Sequence, residues 1–325
     1  MLVQSGDPSD FEHALTVINN WRSSHPRPLQ ITKMTLLNRA RAVYEHALIA
    51  QRIRRIPAIN LKLMTNPNMQ LSKMHDIGGC RAVLRTVLEV ENLVNVYEKA
   101  TNKNARRGGE FIKKYDYISQ PKCSGYRGIH LAYKYRTDSK KLAAWSGLRI
   151  EIQIRSTVQH AWATAVETVD AFTAQALKSN MGQDSWKRFF ALVASAFAST
   201  EKKPLVPDTP TDMTELKREL KGFSRELTLL EGFQKATEVI QNKNGHIFLV
   251  KLDSEKRLVN TRGYQQELML NAQNDYLELE KSIKGKPQMQ AVLVSVESFK
   301  ALKKAYPNYF LDITVFVGLL KKWIN

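Results

Sequence analysis

LRIEIQIRS, residues 148–156, alternates without interruption. Ile150, Ile152 and Ile154 fall on one side of an extended chain, and Arg149, Glu151, Gln153 and Arg155 on the other. That is a strand with one apolar and one charged face. Taken alone, it describes any sheet with a wetted side. A second acid changes the reading: Asp76 stands at the mouth of another apolar strand, in MHDIGGCRAVL (74–84). Two carboxylates on neighbouring strands, beside a basic surface, suit Mg2+ with a nucleoside triphosphate. Mg2+ takes one or two carboxylates and leaves its other positions to phosphate oxygens and water. Adjacency of the two strands is an expectation that spacing alone does not establish.

Cations surround this pair. In RIRRIPAINLK (52–62), Arg52, Arg54 and Lys62 can clamp phosphates, and a guanidinium plane can stack on a base. The same residues also read as a helix end whose cations favour the dipole, and the residues alone leave both readings open. In DYISQPKCSGYRGIHL (116–131), Gly125 permits a tight turn. Tyr126 can then offer its ring to a base while Arg127 or His130 reaches phosphate. Alternation after the turn groups Tyr126, Gly128 and His130. The adjacent His75 and Asp76 could belong to a metal phosphohydrolase. The other histidines (13, 25, 46, 130, 160, 246) are scattered, which excludes that site.

Bulk properties agree with an anionic ligand. The chain has 325 residues, 43% hydrophobic, which is ample for a buried core. No transmembrane run or signal peptide is expected. Cys80 and Cys123 cannot build a disulfide framework or a Cys-rich zinc site, so a reducing, cytoplasmic location is expected. Net charge is +18, which favours polyanionic partners. Between residues 33 and 62 stand Lys33, Arg39, Arg41, Arg52, Arg54, Arg55 and Lys62 against Glu45 alone. Between 103 and 114 stand Lys103, Arg106, Arg107, Lys113 and Lys114 against Glu110. This clustering beside the motifs favours phosphate binding over a merely solvated face.

Along the chain, the pattern predicts helices at 8–24, with Asp10 as cap and Phe11 on its apolar face, and at 32–56, separated by HPRPLQ. Strands are expected in 74–85 and 148–156. Helices are expected at 89–101, 157–178 and 185–199. EKKPLVPDTPTD (201–212) carries three prolines and reads as a linker. A charged amphipathic helix at 213–242 follows. Strands near 246–260, a helix near 264–283, a strand at 291–296 and a helix from Ser298 complete the chain. FLDITVFVGLLKKWI at the end reads as a docked core helix.

RIRRIPAINLK, HDIGGCRAV, KKYDYISQPKCSGYRGIHL, EIQIRS and HAWATAVE, in that order, resemble the synthetase domain of the RelA/SpoT family over roughly residues 30–200. The resemblance implies an α+β fold, with a mixed β-sheet flanked by helices as in nucleotidyltransferases. It implies a synthetase domain at 1–200 (N-terminal helices 8–56, core 57–200) and a linker at 201–212. A helical and α/β C-terminal appendage, regulatory or tRNA-binding, would fill 213–325. The implied activity moves the β,γ-pyrophosphate of ATP to a ribose 3′-hydroxyl with Mg2+. Carried over by position, Arg52, Arg54, Lys62 and Arg81 would hold ATP. Asp76 would bind Mg2+, and Glu151 would bind it or help deprotonate the attacking hydroxyl. Tyr126 would stack on the acceptor base, and Lys113 or Lys114, Arg127 and His130 would meet phosphates. Gln153 and Arg155 would line the same face, His160 and Glu167 would support the site, and Trp162 would belong to the core. Phosphoryl-type transfer of this kind rests on positioning and charge neutralisation.

The family's loop reads Pro-Asn-Gly-Tyr where this chain has Cys123-Ser124-Gly125-Tyr126. An Asn amide matches a guanine edge better than a hydroxyl does. QHAWATAVETV (159–169) is similar to the short, toxic members, some of which modify the tRNA 3′ end. The resemblance therefore implies tRNA as acceptor, with GDP or GTP as the alternative that would yield an alarmone. It also implies an antitoxin or phage-protein regulator as partner. An RNA-binding protein that lost catalysis is a further alternative, against which the presence of both Asp76 and Glu151 argues.

Overall fold

In the computed structural model, which describes residues 8–103, 109–176, 183–232, 235–286 and 288–325, the alternating segment is strand β5 (Arg149–Ser156). Its neighbours are β2 (Gly78–Leu84), in parallel, and β4 (Ile129–Lys134), antiparallel. The expected adjacency of the two acid-bearing strands is therefore real. Outside β4 runs β3 (Glu110–Asp116), and outside β2 runs β1 (Leu48–Ile53).

The sheet does not stop at β1. β9 (Met289–Ser295) pairs with it through Gln51↔Ser295 and Arg52↔Val294. β7 (Ile247–Asp253), β8 (Leu258–Tyr264) and β6 (Thr237–Gln241) follow, so nine strands run β3-β4-β5-β2-β1-β9-β7-β8-β6. The C-terminal strands thus extend the same sheet.

Register sorts the side chains onto two faces. On one face Ile49, Cys80, Ala82, Leu84, Leu131, Ile150, Ile152 and Ile154 pack against α2 (Pro26–Val43) and α4 (Val87–Lys103). Pro26 and Pro28 sit in the first turn of α2, where a missing N–H has no cost. So HPRPLQ separates α1 (Pro8–Ser23) from α2 by only Ser24 and His25. The opposite face is crossed by α5 (Thr157–Ala176) and by α10 (Phe299–Ala305) with the turn Pro307–Phe310. There Phe310, 2% exposed, packs with Phe248, Val250 and Val294. Burying one such ring contributes roughly 2–3 kcal/mol. α6 (Gln183–Thr200) and α11 (Thr314–Ile324) join α5 around Trp162, Phe190, Phe197, Phe316 and Leu320. The terminal helix is docked, as its composition predicts.

Two element assignments from sequence are overturned. The helix expected over 32–56 ends at Val43, and β1 replaces its second half. Ile49, Ala50 and Gln51 are all buried, so β1 has no wet face to reveal a period of two. Residues 213–242 form α7 (Met213–Gly222), α8 (Ser224–Glu231) and then β6, not one helix. The proline-rich 201–212 segment has no regular structure, yet it packs on α6. Val206 is buried, and its N–H donates to the Ser195 hydroxyl at 2.9 Å. Of the sequence expectations, Arg106, Arg107 and Lys178 lie outside the described residues, as do the side chains of Asp10, Phe11 and Lys103.

Candidate active site

The charged face of β5 is the floor of the site. Glu151 has Gly79 on one side, in β2, and Ala132 on the other, in β4. The space a Cβ would take at Gly79 meets nothing nearer than the Glu151 carbonyl oxygen, 4.0 Å away. The second glycine of HDIGGC thus leaves open space beside Glu151 where a side chain would otherwise stand.

A closed ring of side chains holds Glu151. His130 Nδ1 lies 3.0 Å from Glu151 Oε1, and His130 Nε2 lies 2.5 Å from the Tyr126 hydroxyl. Arg155 donates to that hydroxyl at 2.7 Å and to Gln153 Oε1 at 3.2 Å, and Gln153 Nε2 returns to Glu151 Oε2 at 2.7 Å. A carboxylate only accepts, so His130 carries its proton on Nδ1, and the Tyr126 O–H donates to Nε2. Burial raises the Tyr126 pKa against the pull of Arg155, which keeps that donor protonated. Burial also works to raise Glu151. Hydrogen bonds from His130 and Gln153 and the nearby cations outweigh it, so its pKa falls to about 2. An acid so strong is a permanent anion at neutral pH. It suits a metal ligand or an orienting acceptor better than a poised base.

Asp76, just before β2, is the second anion. Lys62 Nζ reaches both its oxygens at 2.9 and 3.0 Å, and Arg54 donates to Oδ2 at 2.5 Å. Lys62 comes from α3 (Ile56–Thr65). Among the described residues no three His, Cys, Asp or Glu side chains make a ready-made metal cage. Asp76 and Glu151 nonetheless fit Mg2+. Both are oxygen donors, one on β5 and one just before its neighbour β2, both act on the charge of His75, and cations that would follow phosphates are in place.

The remaining ATP candidates lie on the same face, beneath the C-terminal segment. Burial opposes the charge of Arg52, but Glu167, Tyr306, Tyr309 and Glu151 outweigh it and raise its pKa. Arg81 is buried, donates to the Ala305 carbonyl at 3.2 Å and lies 5.3 Å from the Tyr306 ring centre. His160 is held neutral, its pKa lowered to about 3 by burial and then by Arg81 and Arg155; its Nε2–H donates to the Lys304 carbonyl at 3.0 Å. Trp162 is core, bonded to the Phe190 carbonyl at 2.9 Å. Gly125, at φ +90°, lets the preceding turn approach it: a Cβ there would lie 2.8 Å from Trp162.

Three sequence assignments need correction. Arg127 faces away from the site and pairs with Glu201 at 2.7 Å, both buried. Lys114 points to the α4 side and pairs with Glu98 at 2.7 Å. The basic run 33–62 is not one phosphate surface: Lys33 is buried on Ser295, Arg39 lies over Tyr97, Arg41 pairs with Glu297, and Arg55 donates to Gln290. Only Arg52, Arg54 and Lys62 of that run reach the site. Tyr126 is a hub rather than a free ring, walled by Tyr117, His130, Trp162 and Arg155. Lys113 is exposed on the site face, and Ser124 is exposed at the loop. Sequence reading missed Tyr115, Tyr117, Tyr306 and Tyr309. The first two were legible as the aromatic positions of the alternating KKYDY; nothing local marks the other pair as site residues.

Residues 51–171 match the family model described as the region found in RelA / SpoT proteins. This segment is similar to the RelA/SpoT region. It spans β1 through most of α5 and holds every carboxylate and cation of the site. A curated relative, GTP pyrophosphokinase YwaC of Bacillus subtilis (strain 168), is 31% identical over 91 residues. That match covers 28% of this chain and 40% of the relative, less than half its length. Among solved structures, small alarmone synthetase 1 from Bacillus subtilis bound to its product pppGpp is 20% identical, with TM-score 0.42, covering 66% of this chain and 99% of that one. A GTP pyrophosphokinase family protein from Streptococcus pneumoniae is 22% identical, with TM-score 0.37, over 47% of this chain and 71% of that one. Beyond the RelA/SpoT segment, the strands β6 to β9 and helices α9 (Met269–Ser282), α10 and α11 complete the fold.

Proposed function

We propose that the chain is an ATP-dependent pyrophosphokinase whose acceptor is the 3′ end of tRNA. The observation that carries the reaction class is Glu151 on β5 and Asp76 just before the parallel neighbour β2, with Arg54 and Lys62 on Asp76 and the charge of Glu151 acting on Arg52, within the RelA/SpoT segment. A ribose 3′-oxygen attacks the β-phosphorus of ATP, the bond from that phosphorus to the bridging oxygen of the α-phosphate breaks, and AMP leaves. The Glu151 carboxylate orients the attacking hydroxyl, whose proton passes to solvent. Bound Mg2+, held by Asp76 and Glu151, would neutralise phosphate charge. Arg54 and Lys62 exchange Asp76 for phosphate oxygens, and His130 holds Glu151 in place.

Net charge of +18 and the exposed Lys113 and Lys122 support an RNA acceptor. The name of the curated relative, GTP pyrophosphokinase YwaC, favours the second reading, GDP or GTP as acceptor and an alarmone as product. The test is transfer of label from γ-labelled ATP to bulk tRNA against GDP and GTP. Label on tRNA is expected; label on free nucleotide alone overturns the acceptor.

The C-terminal segment is a built-in inhibitor in this reading. Tyr306 and Tyr309 act on Arg52 and the Ala305 carbonyl accepts from Arg81, the groups that would receive the donor, while the Lys304 carbonyl holds the supporting His160. Activity as a toxin would then await a protein partner, such as a phage protein, that draws this segment away.

A further inference from the structure

The acceptor side of the face carries an aromatic and cationic strip that the reaction so far leaves unused. Tyr115 and Tyr117 stand two residues apart at the end of the edge strand β3. Their rings are nearly parallel, with centres 6.1 Å apart and 18° between planes. Lys113 Nζ lies 5.0 Å from the Tyr115 ring, and Lys122 Nζ lies 4.3 Å from the Tyr117 ring. Both lysines are exposed, and among the described residues neither is ion-paired, whereas Lys114 between them is held by Glu98. Asp116, the carboxylate within the strip, turns away and accepts from the N–H groups of Ile118 and Ser119. The strip leads into the catalytic ring. Tyr115 is the cross-strand partner of His130, and the Tyr117 and His130 rings are 5.4 Å apart.

A single nucleotide at Glu151 has no need of two further rings. We infer that Tyr115 and Tyr117, with Lys113 and Lys122, form a stacking platform for the unpaired nucleotides that precede the acceptor nucleotide of an RNA 3′ end. This rests on the RNA reading of the acceptor. In the free protein each ammonium lies on an electron-rich ring face. Phosphates draw the ammoniums aside, and the vacated faces take bases, which is the division of labour in sequence-tolerant single-strand binding. Tyr126, already walled on several sides, then meets only the reacting nucleotide.

The test uses the full chain and a four-nucleotide single-stranded RNA with a free 3′-hydroxyl, labelled at its 5′ end, read by fluorescence anisotropy beside GDP as competitor. The platform predicts that Tyr115→Ala weakens oligonucleotide binding about tenfold and that Tyr115→Phe restores it. Lys122→Ala, in an exposed loop, should weaken binding severalfold and flatten its salt dependence. Equal oligonucleotide affinity for wild type, Tyr115→Ala and Lys122→Ala would overturn the platform, since circular dichroism reports separately whether each variant is folded. Label transfer separates this result from the acceptor question. Loss of oligonucleotide binding in Tyr115→Ala with transfer only to GDP would uphold the platform and reject the RNA acceptor. Transfer to RNA with an unchanged KM in Tyr115→Ala would do the reverse.

Discussion

One face of one sheet carries two regions in opposite states. On β1 and β2, Arg52 and Arg81 lie under Tyr306 and the Ala305 carbonyl. On β3 and β4, Lys113 is exposed and Tyr115 and Tyr117 are half-exposed. The β1–β2 half, proposed for the donor, is covered and the β3–β4 half, proposed for the acceptor, is open, with Glu151 on the boundary. In the covered half Arg81 lies over the Tyr306 ring and donates to the Ala305 carbonyl, and Arg52 feels the charge of Tyr306 and Tyr309. Cations in the open half rest on rings and can exchange them for phosphate at little cost. On the proposed function, this contrast would put control on ATP entry rather than on acceptor capture.

Glu151→Gln strikes the boundary and has the largest expected effect: label transfer falls about a hundredfold or more, while binding of the RNA oligonucleotide holds within about twofold. Loss of both together would mean that the two halves are not separable. Arg127→Ala distinguishes a structural cation from a ligand. Removing it strands the buried Glu201, at a cost of about 3 kcal/mol in chemical denaturation. Phosphate-dependent KM values should not move in the folded fraction. Lys114→Ala, which breaks only the half-exposed pair with Glu98, should shift stability by about 0.5 kcal/mol or less.

Opening the covered half comes next. Tyr306→Ala combined with Tyr309→Ala should strengthen ATP-analogue binding about tenfold by calorimetry, because the rings leave Arg52 and Arg81 to the donor. No gain in ATP affinity would show that the segment is structural only. The smallest effect is on pH. His160 carries a pKa lowered from 6.5 to about 3, so the docked form favours the neutral ring. Its stabilisation is complete above pH 6.5 and is lost as pH falls toward about 3. Protection of the amides in residues 299–310, corrected for the intrinsic exchange rate at each pH, should therefore fall between about pH 7 and about pH 5. His160→Gln should remove that dependence.

Local pattern revealed much of this. The alternation in 148–156 located β5, both faces of the sheet and Glu151. Asp76, Arg54 and Lys62 came from motif order, and they meet within hydrogen-bond distance. β1 was illegible because burial on both sides removes the alternation that marks a strand. Arg127 was misread because residue type does not say which side of a turn faces a helix carrying Glu201. Lys113 and Lys114 looked equivalent until the register of β3 on β4 sent them to opposite faces.

By itself, the sequence determined the composition of the site: two acids, a set of cations and an aromatic turn, each bound to a local period of two or to a glycine. Only the tertiary structure decided that Tyr306 and Tyr309, more than 200 residues away in sequence, come against Arg52 and Arg81. That contact follows from β9 pairing with β1, a long-range choice made by hydrogen-bond closure and burial of Phe248, Val294 and Phe310. No local pattern encodes it, because the segments that meet carry no complementary signal until the sheet brings them together.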